Sequence, residues 1–275
     1  MKQILNKIIK FFKKNLFFLL FFSSIIFVGL VLTYKIFFTK PTYIFVKAKV
    51  SQGLWWVETA RPSFWYIKSF EKVLKNKEKE LDLSGKPQSE IIDFKVYPSR
   101  VSNQYDVYLT MKLKVEKINR QNKYLFKRST LGIGSAVDFE FPSLQFSVTV
   151  TDISEKPFKE NYQEKIIYLN KPFSFDFEYD SIKVGDKYFN GKEAIIEILD
   201  KQILNDEKYI ISYQNLNNLN SVNFGKNIMI IAKIKVKKND QNYIFAEEQV
   251  VKPGAYLFFE TENFRFDNYL ISKIE

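Results

Sequence analysis

Residues Met111 to Phe126 read MKLKVEKINRQNKYLF, and residues Ala232 to Phe245 read AKIKVKKNDQNYIF. Each stretch alternates apolar and charged residues, passes through a polar, Asn-containing cluster, and ends in a short apolar run. Alternation with a period of two is typical of a strand with one buried face, and a polar cluster between two such runs indicates a hairpin. The two stretches lie about 120 residues apart, which predicts a duplicated β-rich unit.

The repeat continues on both sides of these hairpins. Downstream, GSAVDFEFPSLQFSVTVTDI matches GAYLFFETENFRFDNYLISKI, and Gly134, Phe139 and Phe146 correspond to Gly254, Phe259 and Phe266. Upstream, SGKPQSEIIDFKV, which begins at Ser84, resembles NGKEAIIEILDK, which begins at Asn190. The matches keep their order along the chain, so we expect a mainly β fold built from two tandem, related units, barrel- or sandwich-like, at residues 42–154 and 155–275.

One short helix is predicted near residues 62–79, which read PSFWYIKSFEKVLKNKEK. Phe64, Ile67, Phe70 and Leu74 fall at helical spacing, and a proline suits a first helical turn. The stretch AIIEILDKQIL, from Ala194 to Leu204, is compatible with a helix or a strand. Its counterpart in the first unit reads as a strand, so we favour a strand at its start.

The N-terminal region has the pattern of a membrane anchor. Leu16 to Tyr34 holds no charged residue, and as a helix it would span about 28 Å, close to the thickness of a hydrocarbon core. We therefore predict a basic cytoplasmic tail at residues 1–14 and a transmembrane helix at residues 15–38, with membrane lipid as the partner of Leu16–Tyr34. A cleaved signal peptide is less favoured, because no small-residue cleavage site follows the apolar run.

Charge is concentrated ahead of this segment. The chain of 275 residues carries a net charge of +11. Five of these charges lie in Met1–Lys14 and two more are Lys35 and Lys40, which leaves +4 for everything from Pro41 onward. Lysines before an apolar span keep that end in the cytoplasm. We therefore expect a single-pass protein of the cytoplasmic membrane with its N-terminus inside and both β-rich units outside. The near-balanced remainder predicts no nucleic-acid partner.

Composition excludes several kinds of site. The chain has neither Cys nor His, so it has no thiol nucleophile, Cys- or His-ligated metal, or imidazole base. The acidic residues considered as catalytic or calcium-binding groups are Asp138, Glu140, Glu260 and Glu262, and then Asp176, Glu178 and Asp180. They mostly alternate with apolar residues, which indicates solvent-facing positions. We predict no enzyme activity, no cofactor and no metal site, and we interpret Gly132-Ile133-Gly134 and Gly85-Lys86-Pro87 as turns.

All three tryptophans lie within one short segment, GLWWVETARPSFWYIKSF. The candidate binding residues are Trp55, Trp56, Trp65 and Tyr66. They could form an exposed aromatic platform for a glycan, a peptide or the outer lipid surface, or they could pack as a core plug beneath the sheet. The sequence leaves both interpretations open.

The stretch LTMKLKVEK, followed by YLFKRSTLGIGSAVDFEFPSLQFSVTVTDI, resembles an uncharacterised bacterial family defined by a domain of unknown function. Members of that family have a basic N-terminus, one membrane anchor and a small β-rich extracytoplasmic domain. The resemblance covers Thr42 to Ile153, and this chain has two such units where the family is similar to one. It implies a fold and a location, and no functional residue can be transferred from it.

The sequence supports two functional hypotheses of different classes. The first is a membrane-anchored structural or interaction protein, such as an adaptor of an envelope or export complex with an envelope protein as its partner. The second is a module that binds cell-wall glycan through the Trp55–Trp65 segment. A hydrolase is the least favoured class, since the chain lacks His and Cys.

Overall fold

The computed structural model of the protein describes residues 15–38, 41–50, 63–100, 104–118, 123–205, 225–239 and 241–275. The chain divides into two compact bodies, Met1–Thr42 and Tyr43–Glu275. Among the described residues, the first body contains one helix and the second contains two β-sheets, so the mainly β prediction with two tandem β-rich units is confirmed.

The helix of the first body, α1, covers Leu16–Phe38. Its position agrees with the predicted anchor. Within the described residues, however, no helix is both long enough and apolar enough to cross a membrane. The structure therefore gives no support to the predicted transmembrane helix at residues 15–38.

The N-terminal β-unit consists of β1 (Thr42–Val50), α2 (Phe64–Asn76), β2 (Lys79–Leu81), β3 (Pro87–Pro98), β4 (Tyr105–Ile118), β5 (Lys123–Phe126), β6 (Ser129–Leu131), β7 (Ala136–Phe141) and β8 (Leu144–Ser154). The antiparallel sheet has the strand order β2-β3-β4-β1-β8-β7, and β5 and β6 extend from the end of β4.

The C-terminal β-unit repeats this order with β9 (Tyr162–Ser174), α3 (Asp176–Ser181), β10 (Lys187–Phe189), β11 (Ala194–Asn205), β12 (Lys226–Asn239), β13 (Asn242–Phe245), β14 (Gln249–Val251), β15 (Tyr256–Glu260) and β16 (Arg265–Ile274). The strand order of its sheet is β10-β11-β12-β9-β16-β15, with β13 and β14 extending from β12. Every strand thus has a counterpart at the same place in the other sheet, as expected of a duplication.

Turns in the two units match in backbone detail. Lys127 and Arg128 adopt φ angles of 49° and 67° in the β5–β6 hairpin, and Ala246 and Glu247 adopt the same angles in the β13–β14 hairpin. Gly134 and Gly254 both have a positive φ, and their N–H groups donate to Val150 and Ile271 at 2.8 Å. A positive φ disfavours a side chain, which explains why glycine occupies both positions.

The region predicted as strand or helix, Ala194–Leu204, belongs to strand β11, so the preference for a strand is confirmed. It has the same irregularity as β3: the pairing register shifts between Ile91 and Asp93 in one unit and between Ile198 and Asp200 in the other. Each bulge is followed by an Asp whose carboxylate accepts the next backbone N–H. These bulges align β3 with β11 residue by residue.

Helix α2 confirms the helix predicted near residues 62–79. It ends at Lys77, which adopts a left-handed conformation and donates its N–H to the Leu74 carbonyl at 3.1 Å. Ile67, Phe70 and Val73 form the buried face, and Phe70 packs edge-on against Phe146. The remaining face of α2 stays in solvent.

Candidate functional site

The predicted aromatic residues are only partly placed by the structure. Trp55 and Trp56 lie outside the described residues. Trp65 is 70% exposed on the first turn of α2. Its neighbour Tyr66 is half-buried, and its hydroxyl group donates a hydrogen bond to the Gln145 carbonyl. Burial raises the pKa of Tyr66 to about 12.

Trp65 and Tyr66 do not form a flat platform. Their ring centroids lie 5.3 Å apart, but the ring planes meet at 73°. Trp65 therefore presents its side chain to solvent, while Tyr66 fastens the helix to strand β8. Of these two candidates, Trp65 alone is available as a large contact group.

The exposed side of α2 combines aromatic and basic residues. Phe64 and Trp65 stand exposed at its first turn, and the Lys68 ammonium lies 4.8 Å from the centroid of the Phe64 ring. Lys72 and Lys75 continue this face along the helix and are also exposed. We call this surface, formed by Phe64, Trp65, Lys68, Lys72 and Lys75, the α2 face.

A second candidate site lies between the two β-units and was not predicted from the sequence. It is a cleft with a volume of about 470 Å³. Its lining contains basic and acidic side chains from both units, including Lys47, Lys95, Glu160, Lys237 and Glu247. These five groups form a connected ionic cluster, which we call the inter-unit cluster.

Lys95 is the most buried member of this cluster. It extends from β3, and the residue is 6% exposed. Its ammonium group donates to the Glu160 carboxylate and the Tyr162 hydroxyl, and lies 3.3 Å from Glu247 Oε1. All three partners belong to the C-terminal β-unit, so this lysine joins the two β-units directly.

Lys237 completes the cluster from the other side. From β12, its ammonium donates to Glu160 Oε1 at 2.9 Å and to both oxygens of Glu247 at 2.6 Å. Lys47, on β1, donates to Glu160 Oε1 at 3.0 Å. Each carboxylate thus receives hydrogen bonds from lysines of both units.

The carboxylates remain ionised in this setting. Burial by itself would raise the pKa of Glu160, but hydrogen bonds from Lys95 and Lys237 outweigh burial and hold that pKa well below its ordinary value. Burial would also raise the pKa of Glu247, but the charges of Lys237 and Lys95 outweigh burial, and this pKa is lowered overall. Burial raises the pKa of Tyr162, so its phenol stays protonated and donates to Glu160 Oε2 at 2.8 Å.

Backbone contacts reinforce this joint beside the cleft. The Val96 N–H donates to the Asn190 carbonyl at 3.1 Å, and the Tyr188 hydroxyl donates to the Val96 carbonyl at 2.7 Å. Tyr97, although it belongs to β3, packs into the hydrophobic core of the C-terminal β-unit. At the surface, Lys192 forms an ion pair with Asp93 at 3.1 Å. The two units are therefore joined by apolar, polar and ionic contacts together.

The acidic residues considered in the sequence do not line the cleft. Asp138 and Glu140 lie exposed on β7. In the C-terminal unit, Glu260 forms an ion pair with Arg265 at 3.2 Å and Glu262 is exposed in the turn that follows.

The acidic stretch from Asp176 to Asp180 forms the short helix α3, in which Asp176 and Asp180 are exposed and Glu178 is half-buried. The reason is local: the Glu178 carboxylate accepts the Phe175 N–H at the helix start and is paired with Lys171 at 2.7 Å. The two glycine motifs form turns as predicted, with Gly85 donating to Asp82 and Ser135 donating to Gly132.

The arrangement of charges in the cleft indicates a structural joint. Lys95, Lys237 and Lys47 are all engaged by carboxylates within the cluster, and the phenol of Tyr162 adds a further hydrogen bond. One feature of the sequence indicates this joint: Lys95 is a charged residue that interrupts an apolar run between Phe94 and Val96. The partners, by contrast, come from distant parts of the chain.

Comparison with known proteins gives no relative to guide the assignment. No family model, no curated protein and no solved structure matches the chain. The resemblance to an uncharacterised bacterial membrane-protein family therefore stays a prediction.

Proposed function

We propose that the protein is a structural and interaction protein that presents a rigid two-unit β body to an envelope protein, with α1 as its anchor in the cytoplasmic membrane. The observation that carries this proposal is the inter-unit cluster, in which Lys95 is nearly inaccessible and contacts carboxylates of the other unit. A buried ionic cluster holds its members in one geometry, because displacing any of them leaves a charge without a partner in a poorly solvated site.

Rigidity matters for an adaptor because flexible linkage between domains costs entropy when both must bind together. Contacts across the joint come from β1 and β3 on one side and from β9, β10 and the β13–β14 turn on the other, so the two sheets cannot turn against each other without breaking several of them. The body would then present surfaces of both units in a constant relative orientation.

The anchor part of the proposal is supported by the sequence. Leu16–Tyr34 contains no charged side chain, and Met1–Lys14 contains five lysines and no acidic residue. Such a segment favours lipid over water, and the lysines favour the cytoplasmic side. The β body would accordingly lie outside the cytoplasm.

The α2 face is the proposed contact surface. Large aromatic side chains are enriched among the residues that contribute most to protein interfaces, and Trp65 is a strongly exposed example. The three lysines of this face outnumber its exposed acidic residue, Glu71, and favour a partner with acidic groups around an apolar pocket. The glycan-binding alternative is less well supported, since the rings of Trp65 and Tyr66 are not coplanar.

Site-specific photo-crosslinking in living cells tests the proposal. A photoreactive phenylalanine analogue replaces Trp65, and in a matched variant it replaces Ile133, which is 72% exposed on the β6–β7 turn. We expect one envelope protein to be captured from position 65 and not from position 133. Equal capture at both positions, or exclusive capture of cell-wall glycan at position 65, would contradict the proposal.

Protease treatment of spheroplasts tests the anchor separately. We expect the β body to be digested in intact spheroplasts and the protein to sediment with membranes. Digestion only after lysis would show that the body is cytoplasmic and would overturn the location.

A further inference from the structure

The second half of strand β3 is covered by the C-terminal β-unit. In the described part of the sheet, β2 pairs with β3 only from Pro87 to Glu90. Further along the strand, the Val96 N–H donates to the Asn190 carbonyl at 3.1 Å, and the Val96 carbonyl accepts from the Tyr188 hydroxyl at 2.7 Å. An open strand edge presents N–H and C=O groups that need partners. The C-terminal unit supplies these partners where β2 has ended.

The contacts of this stretch with the C-terminal unit recur at every second residue. Val96 packs in the core of its own unit. The residues on the other face contact the C-terminal unit through side chains or, at the last position, through the carbonyl group: Asp93, Lys95, Tyr97 and Ser99. Successive side chains of a strand point to opposite faces, so the C-terminal unit recognises one whole face of an extended segment.

Tyr97 is the apolar anchor of this contact. It is 5% exposed and belongs to the hydrophobic core of the C-terminal unit. Tyr188, Phe245 and Phe258 line the small gap that remains beside it, and its hydroxyl lies 3.4 Å from Glu247 Oε1. A buried aromatic ring with its polar tip at a hydrogen-bonding group is a common anchor of interfaces. We call the receiving surface the strand groove, which is formed by Glu160, Tyr188, Asn190, Phe245, Glu247 and Arg265.

The equivalent place in the N-terminal unit is filled differently. Strands β2 and β10 occupy equivalent positions, and their middle residues are Glu80 and Tyr188. The buried Glu80 carboxylate accepts the Glu140 N–H of β7 at 3.1 Å, so it joins the two end strands of that sheet directly. In the C-terminal unit, β3 instead contacts both end strands, β10 and β15. The strand groove is therefore a property of the C-terminal unit and not of the repeat as such.

We propose that the C-terminal β-unit is a binding module for extended peptide segments, and that residues 93–99 of the same chain are its intramolecular ligand. The strand groove takes a lysine between two carboxylates and, two residues later, a tyrosine in an apolar pocket. Main-chain hydrogen bonds between these positions add affinity, and the alternate side chains give specificity.

The connection between the two units keeps the strand groove filled. Strand β8 ends at Ser154 and β9 begins at Tyr162, so the ligand is tethered through a short segment. A short tether gives a high effective concentration, and a peptide in solution competes poorly against it. This inference depends neither on the anchor nor on the envelope partner.

Cutting the connection tests whether the two units bind each other without a covalent link. A protease recognition sequence is inserted into the full-length chain between Lys156 and Pro157, which are both exposed, and the cut protein is analysed by size exclusion in detergent. We expect the two halves to elute together at micromolar concentration. Tyr97→Ala should weaken their association about tenfold or more, whereas the matched control Tyr43→Ala, which truncates an exposed tyrosine of the same unit, should leave it unchanged.

A labelled peptide with the sequence of residues 91–100 tests the strand groove directly by fluorescence anisotropy. We expect it to bind the cut Tyr97→Ala protein about tenfold or more tightly than the uncut wild type, whose groove is filled, and we expect the same peptide with Tyr97→Ala not to bind. Circular dichroism checks that uncut Tyr97→Ala keeps its β structure, and the cut wild type gives a result that needs no substitution. Separation of the wild-type halves, equal weakening by Tyr97→Ala and Tyr43→Ala, or a peptide that does not bind the cut variant would overturn the proposal.

Discussion

Replacement of Lys95 by methionine should destabilise the β body far more than the loss of an ordinary surface lysine. Methionine keeps much of the side-chain volume and removes the charge. Glu160 and Glu247 then lose one of their cationic partners in a poorly solvated site. Breaking a buried ion pair from one side costs about 3–5 kcal/mol, and because Lys237 still contacts both carboxylates, we expect about 3 kcal/mol here.

The assay is urea-induced unfolding followed by far-ultraviolet circular dichroism. The matched control is Lys192→Met, because Lys192 also forms an ion pair across the joint, with Asp93, but its side chain is 64% exposed. An exposed pair contributes under about 1 kcal/mol, so Lys192→Met should leave the free energy of unfolding nearly unchanged. Both variants remove one positive charge, so the contrast between them isolates burial.

A double variant separates the ionic contact from loss of side-chain packing. If Lys95 and Glu160 interact as the structure indicates, Lys95→Met combined with Glu160→Gln should cost less than the sum of the two single variants. The reasoning about the cluster would be refuted if Lys95→Met and Lys192→Met had the same cost, or if the two single costs were strictly additive.

Three further predictions concern pH, turns and packing. The pKa of Glu160 is lower in the folded protein than in the unfolded chain, so its stabilising contribution is complete above its ordinary pKa of 4.5 and is lost as pH falls toward the folded value. In urea titrations, the difference in unfolding free energy between wild type and Glu160→Gln should therefore be constant from pH 7 to 5 and shrink by pH 3. Gly134→Ala and Gly254→Ala should each cost about 1–2 kcal/mol by the same assay, because both glycines have a positive φ, and clearly unequal costs would contradict the equivalence of the two turns. Phe70→Ala, at a fully buried contact of α2 with the sheet, should cost about 3–5 kcal/mol, and a loss below about 1 kcal/mol in thermal or urea unfolding would show that α2 is not part of the core.

The sequence alone determined the strands and their duplication. Alternation in Met111–Val115 and in Ala232–Val236 reports which side of each strand is buried, because successive side chains of a strand point to opposite faces. The glycines at 134 and 254 marked a turn, since a positive φ is a local requirement that one residue type satisfies. Helix α2 was predictable for the same reason: its apolar spacing is a property of consecutive residues.

Local patterns were less reliable where side-chain partners decided the outcome. The acidic alternation around Glu178 indicated solvent-facing positions, but Glu178 is half-buried, because it accepts a hydrogen bond from Phe175 and pairs with Lys171. The anchor predicted for residues 15–38 is not supported by any membrane-spanning helix among the described residues. Trp65 and Tyr66 are neighbours in sequence, yet the packing of α2 exposes one and fastens the other.

Only the tertiary structure revealed the joint between the two units. Lys95 and Glu247 are 152 residues apart, and each one looks like an unremarkable charged residue in its own segment. The periodicity of a strand tells which face is covered and says nothing about which other strand covers it. Ionic partners depend on how two finished sheets pack together, so the cluster becomes visible only once both sheets are in place.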